Sequence, residues 1–276
     1  MKNWKSAGCL ALEAAAAGAV TYLLTVAPGR AREEQLSPFR GRYIAHRGLY
    51  NEEDKPENSL AAFRAAAECG YGAELDVRLS LDGAVVISHD NNLARMTGRS
   101  VNVDGLNLAR LQELSLLGTP ERIPLLTEAL DILGPAGVPV IVELKACPRW
   151  KELCRKTLAI LDARDLTVCV ESFDPRIVAW FRRSAPDLLR GILTSQPEDL
   201  EKDSGKVGSF LSSRMLYNWL CRPQFVAHHV GRRSASVRLT QALGAFRITW
   251  TAHDRSEEKG SDAVIFERFL PPVHYR

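Results

Sequence analysis

The sequence predicts an α/β fold, a (β/α)8 barrel of the TIM type with an apolar N-terminal helix in front of it. Short apolar, β-branched runs alternate with stretches of helical spacing over about 235 residues, and such barrels usually have about 250 residues. Several of these runs end in ionisable residues, which is typical of the functional rim of a barrel. An open, doubly wound sheet is the alternative, but no Gly-x-Gly-x-x-Gly motif follows the first run.

The composition indicates a folded globular protein. Of the 276 residues, 46% are hydrophobic and 25% are charged, and the formal net charge is +3. These values exclude a disordered chain, a collagen and a coiled coil. The sequence has no local concentration of basic residues, so we expect no nucleic-acid partner. The six cysteines form neither a Cys-x-x-Cys pair nor a zinc-type spacing, so we expect free thiols and a reducing compartment.

The first 41 residues have the pattern of a separate segment. Ala7–Ala27 comprises 21 residues with a single charge, Glu13, and a helix of that length covers about 30 Å, the thickness of a bilayer core. We therefore expect a single N-terminal membrane span; a cleaved signal peptide and a soluble helix are the alternatives. Residues 28–41 resemble a linker, which predicts an anchor segment over 1–41 and a barrel domain over 42–276.

Basic residues on either side of this segment suggest an orientation. More of them follow it than precede it, which by the positive-inside rule places the large domain on the cytoplasmic side. The residues concerned are Lys2 and Lys5 before the segment, and Arg30, Arg32, Arg40 and Arg42 after it.

Beyond the linker, nine short apolar runs have strand character. They lie at 43–46, 73–79, 85–88, 138–144, 166–172, 190–194, 224–228, 246–251 and 262–266.

Two of the helices between these runs have clear start signals. Asn58 or Ser59 is suited to cap a helix that Gly70 ends. Asp174-Pro175 places a cap and a proline at the first turn of a later helix.

Ionisable residues stand at the ends of the early strands, and the carboxyl-terminal ends of barrel strands form one rim. Glu74 and Asp76 are two residues apart, so their side chains leave the same face of a strand, and the same holds for Glu143 and Lys145. We therefore expect these four side chains to converge, although up to about 70 residues separate them in sequence.

A hairpin is predicted next to the first acidic pair. Asp82-Gly83 between apolar runs is a strong signal for a two-residue turn. In that register Leu81 faces Ala84, and Asp76 faces His89. Directly opposite residues have Cβ atoms about 4.5–5.5 Å apart, so the hairpin would bring an imidazole to the carboxylates.

The converging acids predict a cation. Buried carboxylates are costly unless they are paired or coordinated, and Glu74, Asp76 and Glu143 together would repel one another strongly. All of the candidate ligand atoms are oxygens, which favours Mg²⁺ or Ca²⁺ over zinc.

The ordered motifs resemble those of the glycerophosphodiester phosphodiesterases, over residues 43–267. The motifs are His46-Arg47-Gly48, Pro56-Glu57-Asn58-Ser59-Leu60-Ala61-Ala62-Phe63, Gly72-Ala73-Glu74-Leu75-Asp76-Val77, Leu81-Asp82-Gly83 through His89-Asp90, and Glu143-Leu144-Lys145. Weaker similarities follow in Ser172-Phe173-Asp174 and Trp250-Thr251. The resemblance implies a TIM-type barrel that hydrolyses a glycerophosphodiester to glycerol 3-phosphate and an alcohol.

The resemblance also implies roles for the rim residues. Glu74, Asp76 and Glu143 would hold a divalent metal ion, and His46 and His89 would be the acid and base in an order that remains open. Imidazoles suit this task because their pKa values lie near neutrality.

Further roles follow from the same resemblance. Arg47 and Lys145 would contact the phosphate, whose growing negative charge they would stabilise together with the metal. Glu57 would support the metal and His46, and Trp250 would line the glycerol pocket.

Two positions depart from the family pattern. This chain has His253 where Asn is common, and Phe266-Glu267 where Asp is common. We expect both to lie at the substrate rim and to affect headgroup preference. A lysophospholipase D that acts on membrane lysophospholipids and a tethered, non-catalytic binder are the alternative functions.

Overall fold

The computed structural model describes residues 3–51 and 53–275, including all of their side chains except those of 3–12 and 202–204. Within this part of the chain the nine predicted strands are confirmed. They are β1 (Tyr43–Ala45), β2 (Gly72–Leu79), β3 (Val85–Ile87), β4 (Val140–Leu144), β5 (Val168–Ser172), β6 (Leu189–Thr194), β7 (Phe225–His229), β8 (Phe246–Ala252) and β9 (Ala263–Phe266).

Eight of the strands close into a parallel barrel. The strand order is β1-β9-β8-β7-β6-β5-β4-β2-β3, and β1 also pairs with β2, so the sheet has no gap. Only β3 is antiparallel, as the second arm of a hairpin with β2. The predicted (β/α)8 barrel is therefore confirmed, and the closure between β1 and β2 excludes the open doubly wound sheet.

Helices surround the barrel. They are α1 (Asn3–Val26), α2 (Glu33–Leu36), α3 (Leu60–Glu68), α4 (Ala94–Thr97), α5 (Leu108–Leu111), α6 (Leu126–Leu133), α7 (Trp150–Asp162), α8 (Pro175–Ser184), α9 (Pro197–Ser213), α10 (Asn218–Cys221) and α11 (Ala235–Ala242). Short 3₁₀ turns lie at Val103–Gly105 and Arg255–Glu258.

Both predicted helix starts are confirmed. The Ser59 hydroxyl accepts a hydrogen bond from the Ala62 amide at the start of α3, and the Asp174 carboxylate accepts one from the Arg176 amide at the start of α8. Each cap satisfies an amide that has no partner inside its own helix.

The barrel interior is a packed core below the functional rim. Alternate residues of the strands point inward and form one buried cluster, which includes Ile44, Ile141, Phe225 and Ile248. Gly191 makes room for the Phe225 ring, because a Cβ atom at this position would lie 2.0 Å from that ring. Phe39 packs against the same cluster, so a residue from the segment before β1 contributes to the interior.

The predicted membrane anchor is wrong. The N-terminal helix is present as α1, but within residues 3–51 and 53–275 no helix is both long and apolar enough to cross a bilayer. From Glu13 to Ala19 the helix consists of one carboxylate, one glycine and five alanines. The alanines and the glycine favour membrane insertion only weakly, and the carboxylate opposes it. Lys2 is one of the basic residues on which the predicted membrane orientation was based, and it lies outside the described residues.

The end of α1 instead packs on the barrel. Val26 is fully buried, and its carbonyl oxygen accepts hydrogen bonds from Asn218 Nδ2 at 2.8 Å and Thr240 Oγ1 at 2.9 Å. Arg222 donates to the carbonyl oxygens of Leu24 and Ala27. The chain that precedes β1 is therefore attached to α10 and α11 through buried polar contacts.

Candidate active site

Three carboxylates lie side by side on neighbouring strands at the carboxyl-terminal rim. Asp76 on β2 is in register with Glu143 on β4, and Glu143 is in register with Glu171 on β5. Glu74 lies one inward-facing position below Asp76 on β2. All four side chains are buried, so strand alternation and parallel register together concentrate negative charge at one place, as the sequence predicted for three of them.

Glu74, Asp76 and Glu143 form a compact group. One oxygen from each of the three carboxylates lies within 4.8 Å of the oxygens of the other two. That spacing suits ligands that share one hard cation, for which oxygen donors are preferred.

Two cationic side chains reach this acidic group. Lys145 Nζ lies 2.8 Å from Asp76 Oδ1 and 2.8 Å from Glu143 Oε1. Arg47 Nε lies 3.4 Å from Asp76 Oδ2, and the Arg47 backbone amide donates to Glu74. Burial disfavours the charged form of Lys145, but the two carboxylates outweigh it and raise the lysine pKa.

The carboxylates differ in their preference for ionisation. Burial opposes the charge on Asp76, but Lys145, His89 and Arg47 together hold the Asp76 pKa well below its ordinary value. Burial, aided by the neighbouring Asp76 and Glu143, raises the pKa of Glu74 well above its ordinary value. Burial also raises the pKa of Glu143 to about 7, although Lys145 opposes this shift.

These pKa shifts test whether the group fits a divalent cation. Lys145 and Arg47 do not neutralise the whole cluster, and the raised pKa values of Glu74 and Glu143 mean that the cluster takes up protons when no further positive charge is supplied. A hard divalent cation would replace those protons. The residues present therefore fit a hard divalent cation.

Each of the two predicted histidines is bound by a carboxylate at Nδ1. His46 Nδ1 lies 2.7 Å from Glu267 Oε2, and His89 Nδ1 lies 2.8 Å from Asp90 Oδ1. These contacts favour the tautomer with the proton on Nδ1 and leave Nε2 for a ligand. Burial lowers the pKa of His46, and it lowers the pKa of His89 to about 4 even though Asp76 acts in the opposite direction.

A network of charges lies behind the site. Glu57 accepts hydrogen bonds from Arg47 at 2.9 Å and from Arg95, and Arg95 also donates to Asp90. Glu57 therefore supports Arg47 directly, and through Arg95 and Asp90 it supports His89. The predicted support of the metal and His46 by Glu57 stays a prediction; the hydrogen bonds of Glu57 lead to Arg47 and Arg95.

The site faces a cavity of about 200 Å³. Phe173 and Trp250 form part of its wall, with their ring centroids 5.6 Å apart, and Trp250 Nε1 donates to the Ala227 carbonyl oxygen. The predicted site residues that line the cavity are His46, Arg47, Glu74, His89, Glu143, Lys145 and Trp250. A second cavity, of about 640 Å³, shares His89, Glu143 and Lys145 with the first.

The predicted hairpin register is wrong by one residue. Val77 pairs with Ile87, and the Ser88 amide donates to the Asp76 carbonyl oxygen, so Asp76 faces Ser88 instead of His89. The turn has three residues between Ser80 and Ala84, and Gly83 adopts a positive φ of 83°. A glycine with this conformation at the third position is typical of such a turn with a bulge. His89 nevertheless lines the cavity.

Two carboxylates at the site were not predicted as site residues. Glu171 lines the cavity. The sequence signal that could have identified it is its position near the end of the apolar run 166–172. Glu267 was expected at the substrate rim, but it lies behind His46, and it also binds His253 Nε2 and Tyr50. No local pattern connects residues 46 and 267; only barrel closure, which pairs β1 with β9, brings them together.

The fold and the rim define a (β/α)8 barrel protein with a buried acidic cluster that is compatible with metal binding and is flanked by two positive side chains. A model of the glycerophosphoryl diester phosphodiesterase family matches residues 46–268, and the chain belongs to this family.

Individual relatives agree with this assignment. A glycerophosphodiester phosphodiesterase of Caldanaerobacter subterraneus subsp. tengcongensis is 32% identical over 161 residues, which cover 54% of this chain and 65% of that protein. A lysophospholipase D of Rattus norvegicus is 33% identical over 138 residues, which cover 45% of this chain and 43% of that protein. The chain therefore matches less than two thirds of either relative.

A solved structure is similar over most of the chain. It is a phosphodiesterase of Oleispira antarctica in complex with the product sn-glycerol-3-phosphate, with a TM-score of 0.69 and 26% identity, and the match covers 84% of this chain and 94% of that one.

Proposed function

We propose that this protein hydrolyses glycerophosphodiesters to glycerol 3-phosphate and an alcohol, with a divalent metal ion as cofactor. The observation that carries the proposal is the combination, around one small cavity, of two carboxylates from the compact three-carboxylate group, two cationic side chains and two carboxylate-bound imidazoles. Family membership and the product complex of the Oleispira phosphodiesterase support the substrate class.

Glu74, Asp76 and Glu143 would hold the metal ion, Mg²⁺ or Ca²⁺. When bound, such an ion stabilises negative charge on phosphate oxygens. Arg47 and Lys145 would add positive charge to the same oxygens, in a site whose low exposure strengthens each interaction.

His46 and His89 would transfer the protons. One imidazole takes a proton from the attacking nucleophile at Nε2, and the other returns a proton to the oxygen of the departing alcohol. Glu267 and Asp90 hold the two rings in place at Nδ1 and stabilise the protonated form of each ring.

The glycerol phosphate half would occupy the smaller cavity, against Trp250, and the alcohol would leave towards the larger one. We propose that residues 42–276 carry all of this chemistry, because every residue named at the site lies within that range.

A lysophospholipase D activity is the second candidate. Its support is the larger cavity, which shares three of the charged site residues and includes Phe173 and Leu200 in its wall. The leaving alcohol would again be choline, and the larger cavity could accommodate an acyl chain on the glycerol half, with the same chemistry at the phosphate.

The test is the release of glycerol 3-phosphate from glycerophosphocholine, and of choline from lysophosphatidylcholine, by the full chain with Mg²⁺, with Ca²⁺ and with EDTA. We expect turnover of glycerophosphocholine that EDTA abolishes and that His46→Ala reduces at least 10²-fold. Faster turnover of lysophosphatidylcholine would favour the second candidate. Absence of turnover with both substrates and both metal ions would contradict the proposed function.

A further inference from the structure

Glu171 is a buried acid that the chemistry proposed above does not use. Its side chain belongs to the inward face of β5, beside Glu143 on β4, and the residue is 2% exposed. Among the described residues no group hydrogen-bonds to Glu171 Oε2. Buried carboxylate oxygens normally have partners, so this atom lacks a contact that another molecule could supply.

Glu171 is separate from the metal-binding group. The three acids whose oxygens lie within 4.8 Å of one another are Glu74, Asp76 and Glu143. Lys145, the nearest lysine of the site, is engaged by Asp76 and Glu143. Glu171 therefore belongs neither to the three-carboxylate group nor, among the described residues, to a hydrogen bond from a protein cation at Oε2.

The cavity around Glu171 has a mixed lining. Five apolar or aromatic residues form much of its wall; they are Phe173, Leu193, Leu200, Trp250 and Ile265. Ser195 is the neutral polar residue of the lining, and its hydroxyl already donates to Asp199. Hydroxyl groups of a ligand bound among these residues would lose water, and Glu171 Oε2 offers them an unused acceptor.

The dimensions match one half of the proposed substrate. A cavity of about 200 Å³ has room for a three-carbon polyol joined to a phosphate. With the phosphate near Lys145 and Arg47, the carbon chain of the polyol would lie along Trp250 and Phe173. This placement brings its hydroxyls to the β5 side of the barrel, where Glu171 lies.

We propose that Glu171 is a specificity residue, which accepts a hydrogen bond from a glycerol hydroxyl of the substrate and so selects glycerol over an alkyl chain of the same length. This inference rests on the proposed function, because it assigns a residue to the glycerol half of that substrate. It does not depend on the protonation state of Glu171, since a neutral carboxyl also retains an acceptor oxygen.

The test compares two diesters that differ only in these hydroxyls, glycerophosphocholine and propylphosphocholine, in the full-length wild type and in Glu171→Ala. Glu198→Gln, an exposed acid on α9, is the matched control. Leaving a buried hydroxyl without its acceptor corresponds to about a 10- to 100-fold change. We expect Glu171→Ala to lower kcat/KM by that factor for glycerophosphocholine and less than threefold for propylphosphocholine. The control should change neither value.

Two further titrations make the result independent of turnover. Mg²⁺ affinity, measured by calorimetry, should be the same in the wild type and in Glu171→Ala. Glycerol 3-phosphate, titrated in the presence of Mg²⁺, should bind the variant at least tenfold more weakly.

The outcomes separate this inference from the proposed function. Equal loss with both diesters, loss of Mg²⁺ affinity, or unchanged glycerol 3-phosphate affinity would each overturn the role of Glu171. If the wild type hydrolyses neither diester, the proposed function fails, and the glycerol 3-phosphate titration alone decides the role of Glu171. Absence of binding by the wild type in that titration would overturn it as well.

Discussion

Glu267 provides a sharp test of the proposed acid–base pair, because among the described residues it reaches that pair through His46. Its Oε2 atom lies 2.7 Å from His46 Nδ1, and its side chain is 12% exposed. Tyr50 and His253 bind the same carboxylate and hold it in place. Glu267→Gln keeps the shape of the side chain and removes its charge.

The expected magnitude follows from this contact. A charge-assisted hydrogen bond of this kind is worth about 1.5–3 kcal/mol, which corresponds to a decrease of about 10- to 150-fold in kcat/KM. Burial lowers the pKa of His46, and Glu267 partly opposes that shift by favouring the protonated ring. Without the carboxylate the His46 pKa should fall further, so the corresponding limb of the pH–rate profile should move to lower pH.

The assay is kcat/KM for glycerophosphocholine across pH 5–9. Glu267→Asp, which keeps the charge, should recover part of the activity, and His253→Ala, which removes only an outer partner, should change the rate much less. Mg²⁺ affinity should be unchanged in all three variants. A Glu267→Gln enzyme within twofold of wild type, with an unshifted profile, would refute the role given to Glu267 and His46.

Three further outcomes are expected. Deleting residues 1–27 should lower the free energy of unfolding, measured in urea, by at least about 3 kcal/mol. The deletion exposes the apolar surface that Val26 covers and leaves Asn218 and Thr240 without their hydrogen-bond acceptor. An unchanged urea midpoint would contradict the packing of α1 on α10 and α11. Mg²⁺ should bind more weakly as the pH falls below about 7, because protons then occupy Glu143 and compete with the ion; calorimetric affinities that agree at pH 5.5 and pH 8 would contradict it. Choline, ethanolamine and glycerol leaving groups should give kcat/KM values within about 10³-fold, roughly 4 kcal/mol, because the proposed contacts are to the phosphate and the glycerol half; a stronger preference in a rate comparison would indicate a dedicated headgroup pocket.

The sequence was most informative where a short pattern determines the structure. Strand alternation alone placed Glu74 with Asp76, and Glu143 with Lys145, and parallel strands then brought the two pairs to one rim. Local capping patterns predicted the starts of α3 and α8, because a helix cap is formed by residues that are close in sequence.

Features that depend on distant packing could not be read in the same way. The hairpin register depends on whether Gly83 closes a two-residue or a three-residue turn, and both are compatible with Asp-Gly. The contact of Glu267 with His46 needs barrel closure. The apolar pattern of α1 suggested a bilayer as its partner, whereas the end of that helix is buried against α10 and α11.

The most direct test of the proposed site is a set of calorimetric Mg²⁺ and Ca²⁺ titrations on five single variants of the full chain. Glu74→Ala, Asp76→Ala and Glu143→Ala should lose most of the metal affinity together with activity, with partial recovery of activity at high metal concentration. His46→Ala and His89→Ala should bind the metal like the wild type while kcat falls at least 10²-fold. Loss of metal binding in His89→Ala, or normal binding in Glu143→Ala, would contradict the division into metal ligands and acid–base residues.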